Sequence, residues 1–293
     1  MKTKQTRSLI ETLDQFGLKP DDLIGQGGEA NVYALDRQRV LRVYHEGTAQ
    51  ESILRRAKLL AELAQSATAV PFALPTVEET ILDTPCLATI EPRLPGQAMM
   101  QAMKESDSNH REEMIRAYLD AASQVRHLAV PRPFYGDLGQ NEPIQTDTFK
   151  GYLYERAAKN LAFAGESVAH VDARQIAEAW PAGSERSLVH LDFFPGNVLV
   201  AGGEVTAVID FGTVSIIGDW RLDPLTAVAY LHPLITPPAT PQDRLIADEW
   251  LTEQGLAPLY DIAEQWCAAF WSWVFAFDDG NLYQWCRQVL SVD

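Results

Sequence analysis

The apolar positions change period along the chain, and the changes divide it in two. Residues 8–16 read as a short helix. Between 21 and 37, two extended runs flank a glycine-rich turn. Residues 39–44, Arg-Val-Leu-Arg-Val-Tyr, are β-branched and alternating, which predicts a strand. From 50 to 65 the period becomes helical, with Ile53, Leu54, Ala57, Leu60, Ala61 and Ala64 at helical spacing. Residues 84–90 read as extended again. Glu91-Pro92-Arg93-Leu94-Pro95-Gly96 then places two prolines and a glycine in six residues, the mark of a hinge. Beyond it, helices are predicted over 112–128, 148–164, 222–231 and from 242 onward, with a loop-like stretch over 131–147. Two apolar runs, 198–200 and 205–209, flank Gly202-Gly203, a hairpin signal. The pattern predicts an α+β chain of two lobes: a small β-rich lobe over 1–93 and a larger, mostly helical lobe over 94–293.

Charge and composition narrow the partners. The chain has 293 residues and a formal charge of −16. Nucleic acid and anionic membranes need a basic face, so neither is expected as a partner. Residues 201–293 carry thirteen acidic side chains against three arginines and no lysine. That region either attracts cationic ligands or is a solvated face. Cys86, Cys267 and Cys286 are far apart and in no metal-ligand spacing, which suits a reducing cytoplasm. The longest apolar stretch near the C-terminus, 267–277, is broken by Ser272 and too short to span a bilayer. The pattern does not fix an oligomeric state.

The strongest chemical signal runs from Leu188 to Val200, where His190, Asp192 and Asn197 fit H-x-D-x-x-x-x-N. Phosphoryl transfer to a hydroxyl needs a carboxylate to accept the proton and oxygen ligands for magnesium. An Asp and an Asn on one tight loop can supply both, and Pro195-Gly196 supplies the turn between them. Thirteen residues after Asn197 stands Asp210-Phe211-Gly212, across the glycine hairpin, a second carboxylate for the same metal. Upstream, Gly25-Gln-Gly27-Gly28-Glu-Ala30-Asn-Val32 fits G-x-G-x-x-small-x-V. Backbone amides in such a turn can approach phosphates closely, and Val32 can cover a purine face. An ordinary hairpin turn explains that segment as well when it is read alone.

In this order the three elements resemble the protein-kinase-like superfamily, and in detail its aminoglycoside phosphotransferase and choline-kinase-like branch. The resemblance rests on the Val189–Asn197 loop, on Ile209-Asp210-Phe211-Gly212, and on the following Gly218-Asp219-Trp220-Arg221-Leu222-Asp223-Pro224. There is no counterpart of the A-P-E element of protein kinases, which points to a small-molecule acceptor. The resemblance covers about 23–231. It implies an ATP- and magnesium-dependent phosphotransferase acting on a hydroxyl of a small polar, possibly cationic molecule that is aminoglycoside-, amino-alcohol- or sugar-like. Asp192 would be the catalytic base, and Asn197 and Asp210 would hold Mg2+. Gly25, Gly27 and Gly28 would cover the triphosphate of ATP, and the backbone of Glu91 to Arg93 would meet the adenine. His190 and Asp219 would support the site, with Asp219 bracing the catalytic loop.

The sequence departs from the family at one ion pair. Arg42 stands where the family has a lysine, and Arg56 falls where the following helix has a glutamate; Glu51 or Glu62 could take that place. A guanidinium is not a drop-in for an ammonium. The alternative function is therefore a catalytically weak kinase-fold module that binds nucleotide and acts through a protein partner. Trp250, Trp266, Trp271, Trp273 and Trp285 read as core or as a cation–π wall. Asp278 and Asp279 beside them are candidate amine contacts.

Overall fold

The structure is a computed structural model that describes residues 2–183, 185–276 and 280–291. Helix α1 (Lys2–Gln15) precedes strands β1 (Leu23–Gln26), β2 (Ala30–Ala34) and β3 (Arg39–Tyr44). Helix α2 (Gln50–Ala64) follows, then β4 (Glu79–Ile81) and β5 (Ala88–Pro92). These five strands form one antiparallel sheet in the order β1-β2-β3-β5-β4. Register explains the alternation in 39–44. Val32 pairs with Arg42 and Arg42 with Thr89, while Tyr33 pairs with Leu41 and Leu41 with Ile90. Successive side chains of a strand point to opposite faces. Leu41, Val43, Tyr33 and Ile90 therefore bury one face together with Leu13 and Leu18. Val40 and Arg42 lie on the other face, with Glu91, along a hollow in the cleft.

The chain then crosses through β6 (Gln97–Ala98), α3 (Met99–Glu105) and α4 (Ser108–Gln124). The short strands β7 (Tyr135–Asp137) and β8 (Gln145–Thr146) occupy the stretch that reads as a loop. They are followed by α5 (Phe149–Ala164), which Thr148 caps by accepting from Gly151 N, and by α6 (Ala173–Ala179). Next come β9 (Ser187–Val189), β10 (Val198–Ala201), β11 (Glu204–Val208) and β12 (Ile216–Gly218). Helices α7 (Leu222–Tyr230), α8 (Pro241–Glu253), α9 (Tyr260–Trp271) and α10 (Asn281–Val289) complete the chain. Strands β10 and β11 form the hairpin signalled by Gly202-Gly203, whose φ values of 60° and 85° suit a primed turn. No helix among the described residues is long and apolar enough to cross a membrane.

The crossover is fixed at Gly96, which has φ 102°. A Cβ there would lie 2.4 Å from Thr206 Oγ1, so only glycine fits. The small sheet does not stand alone. Leu59, Leu60 and Leu63 of α2, with Val70, Phe72 and Leu74 after it, belong to the same buried cluster as the helical lobe. Ala73 also bridges to Ala207 of β11. Helix α2 is thus clamped between the lobes, and Arg56 from its buried face reaches the cleft. Leu60 is fully buried in that clamp. Leu60→Ala is expected to cost about 2–5 kcal/mol, which denaturant unfolding will show as a lower midpoint.

Candidate active site

The segment 190–197 is held almost atom by atom. Leu191 has φ 68°, a conformation costing a non-glycine residue about 1–2 kcal/mol. The carboxylate of Asp223, in the first turn of α7, accepts from His190 N at 2.7 Å and Leu191 N at 2.8 Å. Tyr230 Oη donates to Leu191 O at 2.8 Å, and Tyr118 Oη donates to Phe193 O at 2.6 Å. Asn197 Nδ2 donates to both Asp192 O and Asp192 Oδ2 at 3.0 Å. The brace expected of Asp219 therefore belongs to Asp223. Asp219 turns its carboxylate instead to Trp180 Nε1 and Arg221. The reason is position: Asp223 sits one helical turn further on, inside α7, where its oxygens reach the loop amides. The Gly218–Pro224 segment held both acids, and the sequence alone does not say which one points inward.

The hairpin brings the second carboxylate beside the first loop. Ile209 N donates to Asn197 O at 2.9 Å, so Asp210 follows directly alongside Asn197. Asp210 has φ 68° as well. His190 is a packing and tying residue. Its Nε2 meets Ile209 O at 2.8 Å and its ring lies edge-on to Phe211, with centroids 4.4 Å apart. Burial pushes its pKa down to about 4, so the imidazole stays neutral. With Asn197 Nδ2 engaged by Asp192, Asn197 Oδ1 is left as an oxygen donor beside the Asp210 carboxylate. Two hard oxygen donors on adjoining segments are the ligand type magnesium takes, one or two from protein with the rest of its shell from phosphate and water.

The charged pairs around this floor differ from the expected pattern. Arg42 Nη2 bonds Asp210 Oδ1 at 2.7 Å, and neither Glu51 nor Glu62 is its partner. Glu62 pairs with Arg132. Arg56 reaches from α2 to Glu91, with Nη1–Oε1 at 2.6 Å and Nη2–Oε2 at 3.1 Å. Thr89 Oγ1 donates to the same carboxylate. The lysine–glutamate pair is therefore replaced by two crossed pairs, each with its own carboxylate. Burial alone would raise both acids, but Arg56 holds Glu91 below the usual range, and Arg42 followed by Arg56 does the same for Asp210. Asp192 has no such cation. Burial, reinforced by the charge of Asp210, pushes its carboxyl up to about 8.

Two adjoining hollows meet at Arg42 and Arg56. One, about 460 Å3, is lined by Gly25, Val32, Glu91, Arg93, Leu199 and Ile209, among others. Arg93 N donates to Gln38 O, so its amide is engaged within the sheet. The other, about 610 Å3, is lined by Gly27, Gly28, Asp192, Asp210 and Arg156, with an aromatic wall of Phe270, Trp271 and Trp273. The tryptophans thus divide: Trp250, Trp266 and Trp285 are core, while Trp271 and Trp273 face the cleft. Asp278 and Asp279 lie outside the described residues. Motif reading does not find Arg156 or the ion-pair role of Glu91, because neither side chain stands in a motif, and it does not single out Asp223 within its own segment.

A family model described as the phosphotransferase enzyme family matches residues 23–259. A homoserine kinase of Sinorhizobium medicae (strain WSM419) is 24% identical over 199 residues, which is 64% of this chain and 56% of that protein. The match therefore spans little more than half of that relative's length. Among solved structures, the gentamicin complex of APH(2'')-IIa superposes with a TM-score of 0.64 at 13% identity, covering 97% of this chain and 95% of the other. The GDP complex of aminoglycoside 2'-phosphotransferase-IIIa gives 0.62 at 13% identity, covering 98% and 97%. These likenesses establish a shared fold of a β-sheet lobe and a helical lobe, the architecture of the protein-kinase-like resemblance.

Two stability outcomes follow from the charges. Glu91→Gln leaves Arg56 buried without its counter-charge and is expected to cost about 3–5 kcal/mol. Arg56→Met combined with Glu91→Leu should recover most of that loss in the same unfolding measurement. Asp192 binds its proton to higher pH when folded than when unfolded, so it subtracts stability as pH rises through the window from 4 to 8. Asp192→Asn is therefore expected to raise the melting temperature of the ligand-free protein by a few degrees above pH 8. Thermal scans should show no difference below pH 4.

Proposed function

The chain belongs to the phosphotransferase enzyme family, and from that premise we propose that it transfers the γ-phosphoryl group of ATP to a hydroxyl of a small polar molecule. The observation that carries this reading is the convergence of Asp192, Asn197 and Asp210 on one floor, beneath two arginines, where two hollows meet. The smaller hollow takes the nucleotide base, beside Val32 and the 91–93 backbone, and the 25–28 turn covers the phosphates. The larger hollow takes the acceptor. Solved proteins of the same fold are complexes with ADP and with gentamicin, which supports a nucleotide and a small-molecule acceptor as ligands here.

The residues act as follows. Closure of the cleft aligns the acceptor oxygen with the γ-phosphorus, a gain from orientation rather than from covalent chemistry. Asp192 accepts the hydroxyl proton as the new P–O bond forms and the bond to the β-phosphate oxygen breaks. Asn197 Oδ1 and Asp210 would hold magnesium, which would neutralise phosphate charge when bound. Arg42 exchanges Asp210 for a phosphate oxygen, which is the lysine's task done with a planar head. The three cysteines are free and buried, and we place the protein in the cytoplasm.

ADP release with a panel of aminoglycosides, amino alcohols, sugars and hydroxy acids tests the reading. Asp192→Asn is expected to lower kcat by about 10²–10⁴-fold while Mg-ATP binding persists. The kcat/KM of wild type should rise with pH as Asp192, whose carboxyl is raised by burial and by the charge of Asp210, becomes carboxylate. If Mg-ATP binds and no acceptor turns over above the Asp192→Ala background, a nucleotide-binding module acting through a protein partner is what remains. Failure to bind ATP removes both readings.

A further inference from the structure

The acceptor hollow has a charge on its wall that phosphoryl transfer does not use. Helix α5 sets Tyr152, Arg156 and Asn160 four residues apart, so they share one face. Arg156 and Asn160 line the larger hollow together with Asp192. Arg156 is only 6% exposed, and Asp137 behind it is 2% exposed. Asp137 takes Arg156 Nη2, Tyr152 Oη at 2.9 Å and Ile144 N at 2.7 Å. The buried acid thereby fixes the guanidinium from the rear.

These contacts do not saturate the guanidinium. Arg156 Nε is buried with no hydrogen-bond partner. An arginine head carries five N–H donors in a planar fork, and leaving a buried donor unpaired is costly. A planar anion is the complement of that fork. Among the described residues lining this hollow, the carboxylates are Glu29, Asp192 and Asp210. All three belong to the glycine turn or the transfer centre, so none is left over to receive an amine. Phe270, Trp271 and Trp273 offer apolar faces to a short carbon skeleton.

We propose that the acceptor is a small hydroxycarboxylate whose carboxylate is bound by Arg156 while its hydroxyl is presented to Asp192. This rests on the phosphotransferase reading above for the identity of the hollow. Of the two readings of the acidic C-terminal region, it favours a solvated face over attraction for a cationic acceptor. Asp137 is a positioning residue in this arrangement, acting through Arg156.

Calorimetric titration in the presence of a non-hydrolysable Mg-ATP analogue tests the proposal. The probes are glycerate, serine, homoserine and 4-hydroxybutyrate, each against its own carboxamide, with ethanolamine and kanamycin as cationic probes. At least one acid is expected to bind wild type about 10- to 100-fold more tightly than its carboxamide, the range for a charge-assisted hydrogen bond. Arg156→Lys should shrink that ratio, and Arg156→Gln should abolish it. Because Arg156→Gln strips Asp137 of its buried partner, the comparison of acid with carboxamide on unmodified protein carries the test without any substitution. Equal binding of every acid and its carboxamide, or a preference for the cationic probes, overturns the proposal. Turnover of neutral or cationic alcohols with no acid preferred would leave the kinase reading standing and remove this one. Acid-selective binding with no transfer to any acceptor would remove the kinase reading and keep Arg156 as a carboxylate site.

Discussion

One carboxylate holds the loop on which everything else is mounted. Asp223 takes the amides of His190 and Leu191 while Leu191 sits in the left-handed region. A strained residue persists only where its surroundings over-determine it, and here they do. The carbonyls of Leu191, Asp192 and Phe193 are taken by Tyr230, Asn197 and Tyr118. Tyr118 comes from α4 and Tyr230 from α7, so the core of the helical lobe sets the direction of the Asp192 side chain. Burying Asp223 costs enough to lift its pKa to about 7, even though two amides favour its charged form. That cost is spread over a lobe whose apolar cluster includes Leu222, Leu225 and Val228 of the same helix.

Charge in the cleft is arranged as three crossed pairs, Arg42–Asp210, Arg56–Glu91 and Arg156–Asp137. Such pairs add little net stability, because desolvation offsets attraction, yet breaking one is expensive. Their value is geometric. Arg42–Asp210 links the sheet to the hairpin of the helical lobe, and Arg56–Glu91 links α2 to the end of β5. Each arginine keeps a buried Nε without a partner. The cleft is thus neutralised pair by pair, with hydrogen-bonding capacity on each guanidinium that the protein itself does not use. This also explains how a reversed charge on α2 is tolerated: Arg56 finds a carboxylate one strand away rather than on β3.

Much of this was legible from the sequence, and the boundary of legibility is physical. Period-two and helical patterns locate the larger elements, down to the Gly202-Gly203 turn, but they misplace the buried face of α2: Leu54, Ala61 and Ala64 are exposed, while Arg56, Leu59 and Leu63 are buried with Ile53 and Leu60, because tertiary packing and not residue apolarity decides which stripe is covered. Motifs report chemistry carried by close spacing, so Asp192, Asn197 and Asp210 could be named in advance and lie together on one floor. Spacing does not report side-chain direction at the start of a helix, which is why Asp219 stood in for Asp223. Nor does it report partners distant in sequence. Glu91 was read for its backbone, but its side chain is buried against Arg56, 35 residues earlier. Arg156 lies on a helix with no motif, and only the fold brings it to the cleft. Strands β7 and β8 are two or three residues long and carry no readable period.

The two cleft aspartates show how environment, not residue type, assigns a task. Asp192 and Asp210 share one floor and repel each other, so their protons do not leave together. Asp210 has Arg42 in contact and Arg56 nearby, and stays ionised. Asp192 has an amide for a neighbour and no cation, and is driven toward its neutral form. Pairs of acids whose surroundings pull their pKa values apart divide into a fixed charge and a proton carrier. A hard cation needs the first and a hydroxyl acceptor needs the second. In the ligand-free cleft it is Arg42, with Arg56 behind it, that holds Asp210 ionised, while no cation does the same for Asp192.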